Sequence, residues 1–274
     1  MKWGSYKYRF VPWMWLNILK NQRTLRVVCA RGDGEQLGHG EVAAQLLLLL
    51  QALNSTCIAR NIPLLACLPE RVKWRGHSVS SGEAGRPVDV MRASLGFAVE
   101  RAASSVPGAG TGVFVTRGAV PAHALVCLYP GTVYQKFEPV LFQSLGNPFM
   151  FCCLDGVLVD GRDRGLSRIV YRSCSGRDRL GPHALSDVTW LTPQPINPLS
   201  IGQYINNCSN EKEANVCYQE FDVPPAFPLN LRRFLPNVPY SHDIERPLRC
   251  VVLVSLRKIL SGEELFSNYY TLVQ

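Results

Sequence analysis

The sequence predicts a β-rich α+β domain behind a smaller helical or irregular N-terminal region. Three observations predict it. From Val106 onward the chain breaks into short β-type runs with no long helical interruption. Asp155-Gly156, between Phe149–Leu154 and Val157-Leu158-Val159, is a strong two-residue hairpin signal. Before Val106, the apolar run Leu46–Leu50 inside Glu41–Asn54 reads as one buried amphipathic helix. The chain has 274 residues, 47% of them hydrophobic, enough for one sizeable domain and a smaller one.

Residues 1–105 form the N-terminal region. Its first 31 residues hold seven Lys/Arg and no acid, a pattern mildly like a mitochondrial leader. Trp3, Tyr6, Tyr8, Trp13 and Trp15 are aromatics that weigh against that reading. Arg71–Pro87 carries Gly, Ser, Arg and Pro without apolar periodicity, so an exposed linker is expected there. Val88–Ser105 returns to apolar residues at Val90, Met91, Leu95, Phe97, Ala98, Val99 and Ala102, which suggests a short amphipathic helix.

Residues 106–274 form the β-rich domain. Gly112–Val115 and Ala124–Tyr129 read as strands joined by a turn at Pro121. Pro130-Gly131 is a turn signal, after which Thr132-Val133-Tyr134 resumes. Two inserts are expected. Residues 161–200 carry two Gly-Arg-Asp-Arg copies, at 161–164 and 176–179, which read as charged turns. Residues 223–247 are Pro-rich and read as a surface loop packed by Phe227, Phe234 and Tyr240. Cys250–Leu256 is a buried strand, and a tight polar turn at Gly262-Glu263-Glu264 then leads to the Tyr269-Tyr270 pair. Burying those aromatics requires the segment to dock.

The net charge of +8 is unevenly placed. Residues 1–105 hold 14 Lys+Arg and 7 Asp+Glu, whereas residues 106–274 hold 15 and 14. The basic residues are scattered, so a solvated surface is the plain reading and a nucleic-acid contact by the N-terminal region a weak one. No uninterrupted apolar run approaches the ~18–20 residues of a membrane span, so no membrane partner is expected. The ten cysteines include no Cys-x-x-Cys pair and no zinc spacing with the histidines. No metal site is therefore expected. No secretory leader is legible, so reduced, mostly buried thiols in an intracellular protein are expected, with nucleus, cytoplasm and mitochondrion all open.

Three short segments carry the chemistry. Singly, Gly110-Thr111-Gly112 is a turn before a strand, Asn206-Asn207 a turn or cap, and Tyr269 a core residue. Their order and company are more specific. Gly110-Thr111-Gly112-Val113-Phe114 comes first, then Leu128-Tyr129-Pro130-Gly131 and Leu154-Asp155-Gly156-Val157-Leu158-Val159-Asp160-Gly161. Tyr204-Ile205-Asn206-Asn207-Cys208-Ser209-Asn210, Ala214-Asn215-Val216 and Gly262-Glu263-Glu264-Leu265 before Asn268-Tyr269 complete the series. Over residues 106–274 the chain resembles the SET domain, the fold of most protein lysine methyltransferases.

The resemblance implies a fold of short antiparallel sheets with a C-terminal pseudoknot that brings Asn206 and Tyr269 together. It implies S-adenosyl-L-methionine as cofactor, bound by Gly110, Thr111, Gly112, Asn206, Asn207 and Tyr269. Tyr269 is the implied catalytic residue, and Tyr204, Tyr129 and Tyr270 would line the substrate channel. The implied partner is a protein presenting a lysine. The chain also departs from the family pattern. Asn207 stands where His is usual, Leu128–Thr132 lacks two customary acids, Asn268 replaces an Asp, and no cysteine-rich flank precedes Gln274. A SET-fold interaction module without turnover is therefore the alternative reading.

Overall fold

The computed structural model describes residues 25–27, 37–66, 85–180, 183–209, 211–242 and 246–268. The leader-like stretch, apart from 25–27, most of the expected linker, and the pair Tyr269 and Tyr270 lie outside the described residues. In chain order, β1 (Leu25–Val27) precedes helices α1 (His39–Ala66) and α2 (Pro87–Leu95). Then come β2 (Ala98–Ala103), β3 (Thr111–Arg117), β4 (Leu125–Tyr129), β5 (Gly131–Tyr134), α3 (Leu141–Ser144), β6 (Met150–Cys152) and β7 (Leu158–Asp160). The 161–200 insert holds α4 (Gly165–Arg177), β8 (Arg179–Leu180) and β9 (His183–Ala184). β10 (Asn206–Asn207), β11 (Val216–Asp222), β12 (Asn237–Pro239), β13 (Arg249–Ser255) and β14 (Phe266–Ser267) follow.

Apolar spacing explains α1. Val42, Leu46, Leu49, Leu50 and Leu53 recur at helical intervals and are buried in the main core, among residues of β3, β4, β11 and β13. Burying five such side chains contributes about 10 kcal/mol gross. Gln45 Oε1 accepts the Leu125 amide at 2.9 Å, which ties the helix to β4. By length and composition alone, His39–Ile58 is long and apolar enough to cross a membrane, although polar residues interrupt its apolar run.

The expected helix over Val88–Ser105 is corrected by its own residues. Arg86 N donates to Asp89 Oδ2 at 3.2 Å, and Pro87 opens α2. Gly96 then caps it in the left-handed conformation, φ 83°, with its amide on Arg92 O. The chain leaves as β2, antiparallel to β3 with Ala102 opposite Gly112. Position 105 therefore lies in the loop of a hairpin.

Two five-stranded sheets frame the domain, ordered β1-β6-β7-β5-β12 and β10-β14-β11-β13-β4. The hairpin signalled by Asp155-Gly156 forms as β6 and β7. The two Gly-Arg-Asp-Arg copies flank α4: 161–164 lie outside helix and strand before it, and 176–179 run from its last turn into β8, while α4 between them buries Ser167, Tyr171, Cys174 and Ser175 on one face. Tyr171 meets Trp190 edge-on, with ring centroids 5.0 Å apart. The Pro-rich segment is also more than a surface loop. Phe227 and Phe234 enter the main core, β12 extends a sheet beside β5, and Tyr240 stacks on Tyr134. The eight described cysteines are free. Burial pushes the Cys250 thiol up to about 12.

The strand order β10-β14-β11 fixes the topology at the end of the described chain. β14 runs parallel to both neighbours, pairing Asn206 with Phe266, Asn207 with Ser267, and Val216 with Ser267. The connection from β10 to β11 must therefore cross over β14. The C-terminal strand is threaded beneath that crossover, against the general rule that chains do not thread loops. Asn215 staples it. Its Nδ2 donates to Glu264 O and its Oδ1 accepts Phe266 N, both at 2.9 Å.

Candidate functional site

The site forms where the threaded strand meets the glycine hairpin. Gly112 is buried in β3, and a Cβ built on it would lie 2.1 Å from Glu264 Oε1. Only a glycine leaves room for that carboxylate. Glu264 accepts Ser104 Oγ at 2.6 Å, Ser105 N at 2.8 Å and Ser105 Oγ at 2.6 Å. Asn206 Nδ2 donates to Ser104 Oγ at 3.0 Å, Thr111 O at 3.1 Å and Glu264 Oε1 at 3.3 Å. Burial works to raise the Glu264 pKa, but hydrogen bonds from Ser104, Ser105 and Asn206 outweigh it and hold the carboxyl below its ordinary range.

This arrangement fixes the orientation of the Asn206 amide. Thr111 O and the Glu264 carboxylate only accept, so the group facing them must be the NH₂. The Asn206 Oδ1 is turned away as an acceptor. Gly110 is exposed in the hairpin loop, with no heavy atom within 4 Å of an added Cβ. Gly110, Thr111 and Gly112 thus present a strip of backbone beside Asn206.

The other predicted site residues fall into different places. Asn207 is exposed and pairs with Ser267. The Tyr204 hydroxyl donates to Asp163 Oδ2 at 2.6 Å and accepts Arg101 Nη1 at 3.1 Å. Burial first, then the bond to Asp163, pushes its pKa up to about 12. Tyr129, which the resemblance implied for the channel, sits in the core. It is fully buried, donates to Phe149 O at 2.8 Å, and packs on Phe151 and Tyr218 with centroids 5.2 and 6.2 Å away. Tyr269 and Tyr270 lie outside the described residues, and the described chain reaches Asn268, one residue beyond β14.

No protein-family model matches the chain. Curated relatives do. It is 52% identical over 287 residues to SET domain-containing protein 9 of Homo sapiens, covering 99% of this chain and 96% of that protein. To SET domain-containing protein 9 of Pongo abelii it is 52% identical over 265 residues, covering 91% and 97%. The chain belongs to the SET domain-containing protein 9 family. Among solved structures, CpSET8 from Cryptosporidium is 11% identical with a TM-score of 0.34, covering 85% of this chain and 97% of that one. ctPRC2 in an autoinhibited conformation bound to S-adenosylmethionine is 16% identical with a TM-score of 0.35, covering 67% and 16%.

Four residues of the site carry no role that their sequence context suggests: Glu264, Ser104, Ser105 and Asn215. Glu264 was in view as part of Gly262-Glu263-Glu264-Leu265, but nothing in that motif points to serines 159 and 160 positions away. One cluster among the described residues has metal-ligating types. Ligand atoms of Cys153, Asp155 and Glu220 lie within 4.8 Å of one another. Arg249 pairs with Asp155, Glu220 and Asp222, so a guanidinium already supplies the positive charge there.

Proposed function

We propose that the chain is an S-adenosyl-L-methionine-dependent protein-lysine N-methyltransferase. The observation that carries the reading is the locked Asn206 amide beside the Gly110–Gly112 backbone, where the threaded strand β14 pairs with β10. It is supported by membership of the SET domain-containing protein 9 family.

The residues fit the cofactor's amino-acid end. Asn206 commits its donors to Thr111 and Glu264, leaving Oδ1 as an acceptor suited to an ammonium group. The Gly110 backbone is open to close approach. When bound, S-adenosyl-L-methionine supplies an electrophilic methyl group on a sulfonium.

The protein's own work is alignment and desolvation. A lysine amine has a pKa near 10.4, so it arrives mostly protonated. An apolar approach lined by aromatic side chains disfavours the charged form and lowers that pKa. Tyr269, two positions beyond β14, would orient the neutral amine through its hydroxyl, a preorganised polar contact. Holding the amine in line can supply ~7–11 kcal/mol at the limit. The substrate is a lysine-bearing protein and the setting intracellular.

Calorimetry with S-adenosyl-L-methionine, then methyl transfer to a lysine-peptide array with Tyr269→Phe as control, tests the reading. Binding, with transfer that Tyr269→Phe abolishes, is expected. No binding at high micromolar cofactor would refute it. Binding without transfer would favour the interaction module suggested by Asn268 and Thr132, which stand where the family usually places acids.

A further inference from the structure

Arg101 touches three separate parts of the molecule. It lies in β2 opposite Val113, next to the pair Ala102 and Gly112 in the glycine hairpin. Its Nη2 donates to Thr192 O at 2.8 Å, near the end of the first insert. Its Nη1 donates to the Tyr204 hydroxyl at 3.1 Å, and its guanidinium carbon sits 5.2 Å from the Tyr204 ring centroid. The Tyr204 hydroxyl in turn donates a hydrogen bond to Asp163 Oδ2, near the start of that insert, and Tyr204 is two residues before Asn206. Arg168 Nη1 donates to Leu191 O at 2.9 Å and Asp163 O at 3.3 Å, so the two ends of the insert are also bound to each other.

These bonds run in series. A guanidinium donates to a phenol, and the phenol donates to a carboxylate. Each link is charge-assisted, and bonds in such a chain polarise one another. The guanidinium fork fixes two directions at once, which a lysine ammonium does not. A displacement of the β2–β3 hairpin must therefore reach both ends of the insert through one side chain.

We propose that Arg101 is a positioning residue that couples the Gly110–Gly112 and Asn206 cradle to the 161–200 insert through Tyr204 and Asp163, so that a ligand in the cradle orders the insert. The ligand-dependent part rests on the cradle being the cofactor site. Arg101 touches no reacting atom in this proposal.

Amide hydrogen exchange on the full chain, with and without S-adenosylhomocysteine, tests it. In the unmodified protein the ligand slows exchange at 104–112 and 206–208, and also at 161–165 and 190–193. Arg101→Lys keeps the cradle protection and loses about tenfold of the insert protection, the scale of one charge-assisted hydrogen bond. Asp163→Ala does the same at 161–165, whereas Asp163→Asn, which keeps an acceptor oxygen but not the charge, falls between Asp163→Ala and the unmodified protein. Insert protection of full size in Arg101→Lys, or cradle protection without insert protection in the unmodified protein, overturns the coupling.

Should S-adenosylhomocysteine not bind, the cofactor reading fails, and ligand-free exchange decides the coupling. Arg101→Lys should then exchange about tenfold faster at 161–165 and 190–193, with β11 and β13 unchanged. Equal rates, or a uniform rise that includes β11 and β13, overturn it.

Discussion

Gly112→Ala should collapse the centre of the site, and its cost can be worked from the geometry. The new Cβ would lie 2.1 Å from Glu264 Oε1 and 2.9 Å from Cδ, with the Ser104 Cα at 3.3 Å closing the other side. Gly112 has no positive φ, so backbone strain adds nothing. The carboxylate must move instead, and Oε1 loses the Ser104 hydroxyl and the Asn206 amide. Two hydrogen bonds to a charged acceptor at ~1.5 kcal/mol each give about 3 kcal/mol. For a chain of this size that is a fall in Tm of roughly 6–12 °C. Urea and thermal unfolding of the full chain measure it. The decisive comparison is the same substitution in a Glu264→Ala background, where the obstructing carboxylate is gone and the added cost should fall below about 1 kcal/mol. Equal costs in the two backgrounds would refute the reasoning, because the clash would then not be with Glu264.

Three further outcomes follow from neighbouring contacts. Asn206→Asp sets a carboxylate against Thr111 O and Glu264; it should cost about 2–4 kcal/mol by urea unfolding and raise the Glu264 pKa by NMR titration. Asn215→Ala leaves Glu264 O and Phe266 N without their partner inside the thread, so it should cost about 2–4 kcal/mol and speed amide exchange at 264–267. Asp160 gives the pH prediction. Burial pushes its carboxyl from 3.8 up to about 6, and hydrogen bonds from Ser167 and Asn147 offset this only in part. A raised folded pKa means the folded state holds its proton longer, so stability is lost as pH rises from about 4 to about 6. Asp160→Asn should therefore flatten urea midpoints across that window and stabilise the protein by about 2 kcal/mol at neutral pH. An unchanged slope would refute it.

Local signals made part of this fold legible. Asp155-Gly156 specifies its hairpin within a few residues, and the apolar run of β13 can only be a buried strand. Helix α4 was hidden because its buried face mixes Ser167, Ser175, Tyr171 and Cys174, while Leu166 and Ile169 point outward at 45% and 66% exposure. That inverts the pattern by which amphipathic helices are recognised. β12 was hidden because Pro239 argues against a strand, although a proline is tolerated at a sheet edge. In the candidate site, motif order pointed to Gly112 and Asn206, which the fold brings to the Glu264 carboxylate. The reason Gly112 must be glycine was not legible, because it depends on Glu264, which approaches only after the chain has crossed itself. Arg101 was invisible for a similar reason. Its partners Tyr204 and Thr192 are 103 and 91 positions away, and no periodicity marks a residue chosen for such a reach.

The threaded strand has a consequence for how the protein is made. Among the described strands, β14 is the last to leave the ribosome, yet it lies between β10 and β11 and carries Glu264, Asn206's partner, into place. Until it arrives, β10 has no neighbour, the Ser104–Ser105 loop has no carboxylate to close on, and the Asn206 amide is free to turn over. The β11–β13–β4 layer can pair beforehand, since its antiparallel contacts need nothing downstream of Ser255. The topology thus allows the scaffold to form first and leaves the candidate site to be completed by an insertion of few residues and high sequence separation, a class of step expected to be slow. A nascent chain stalled short of Glu264 would be largely folded and wholly without a site.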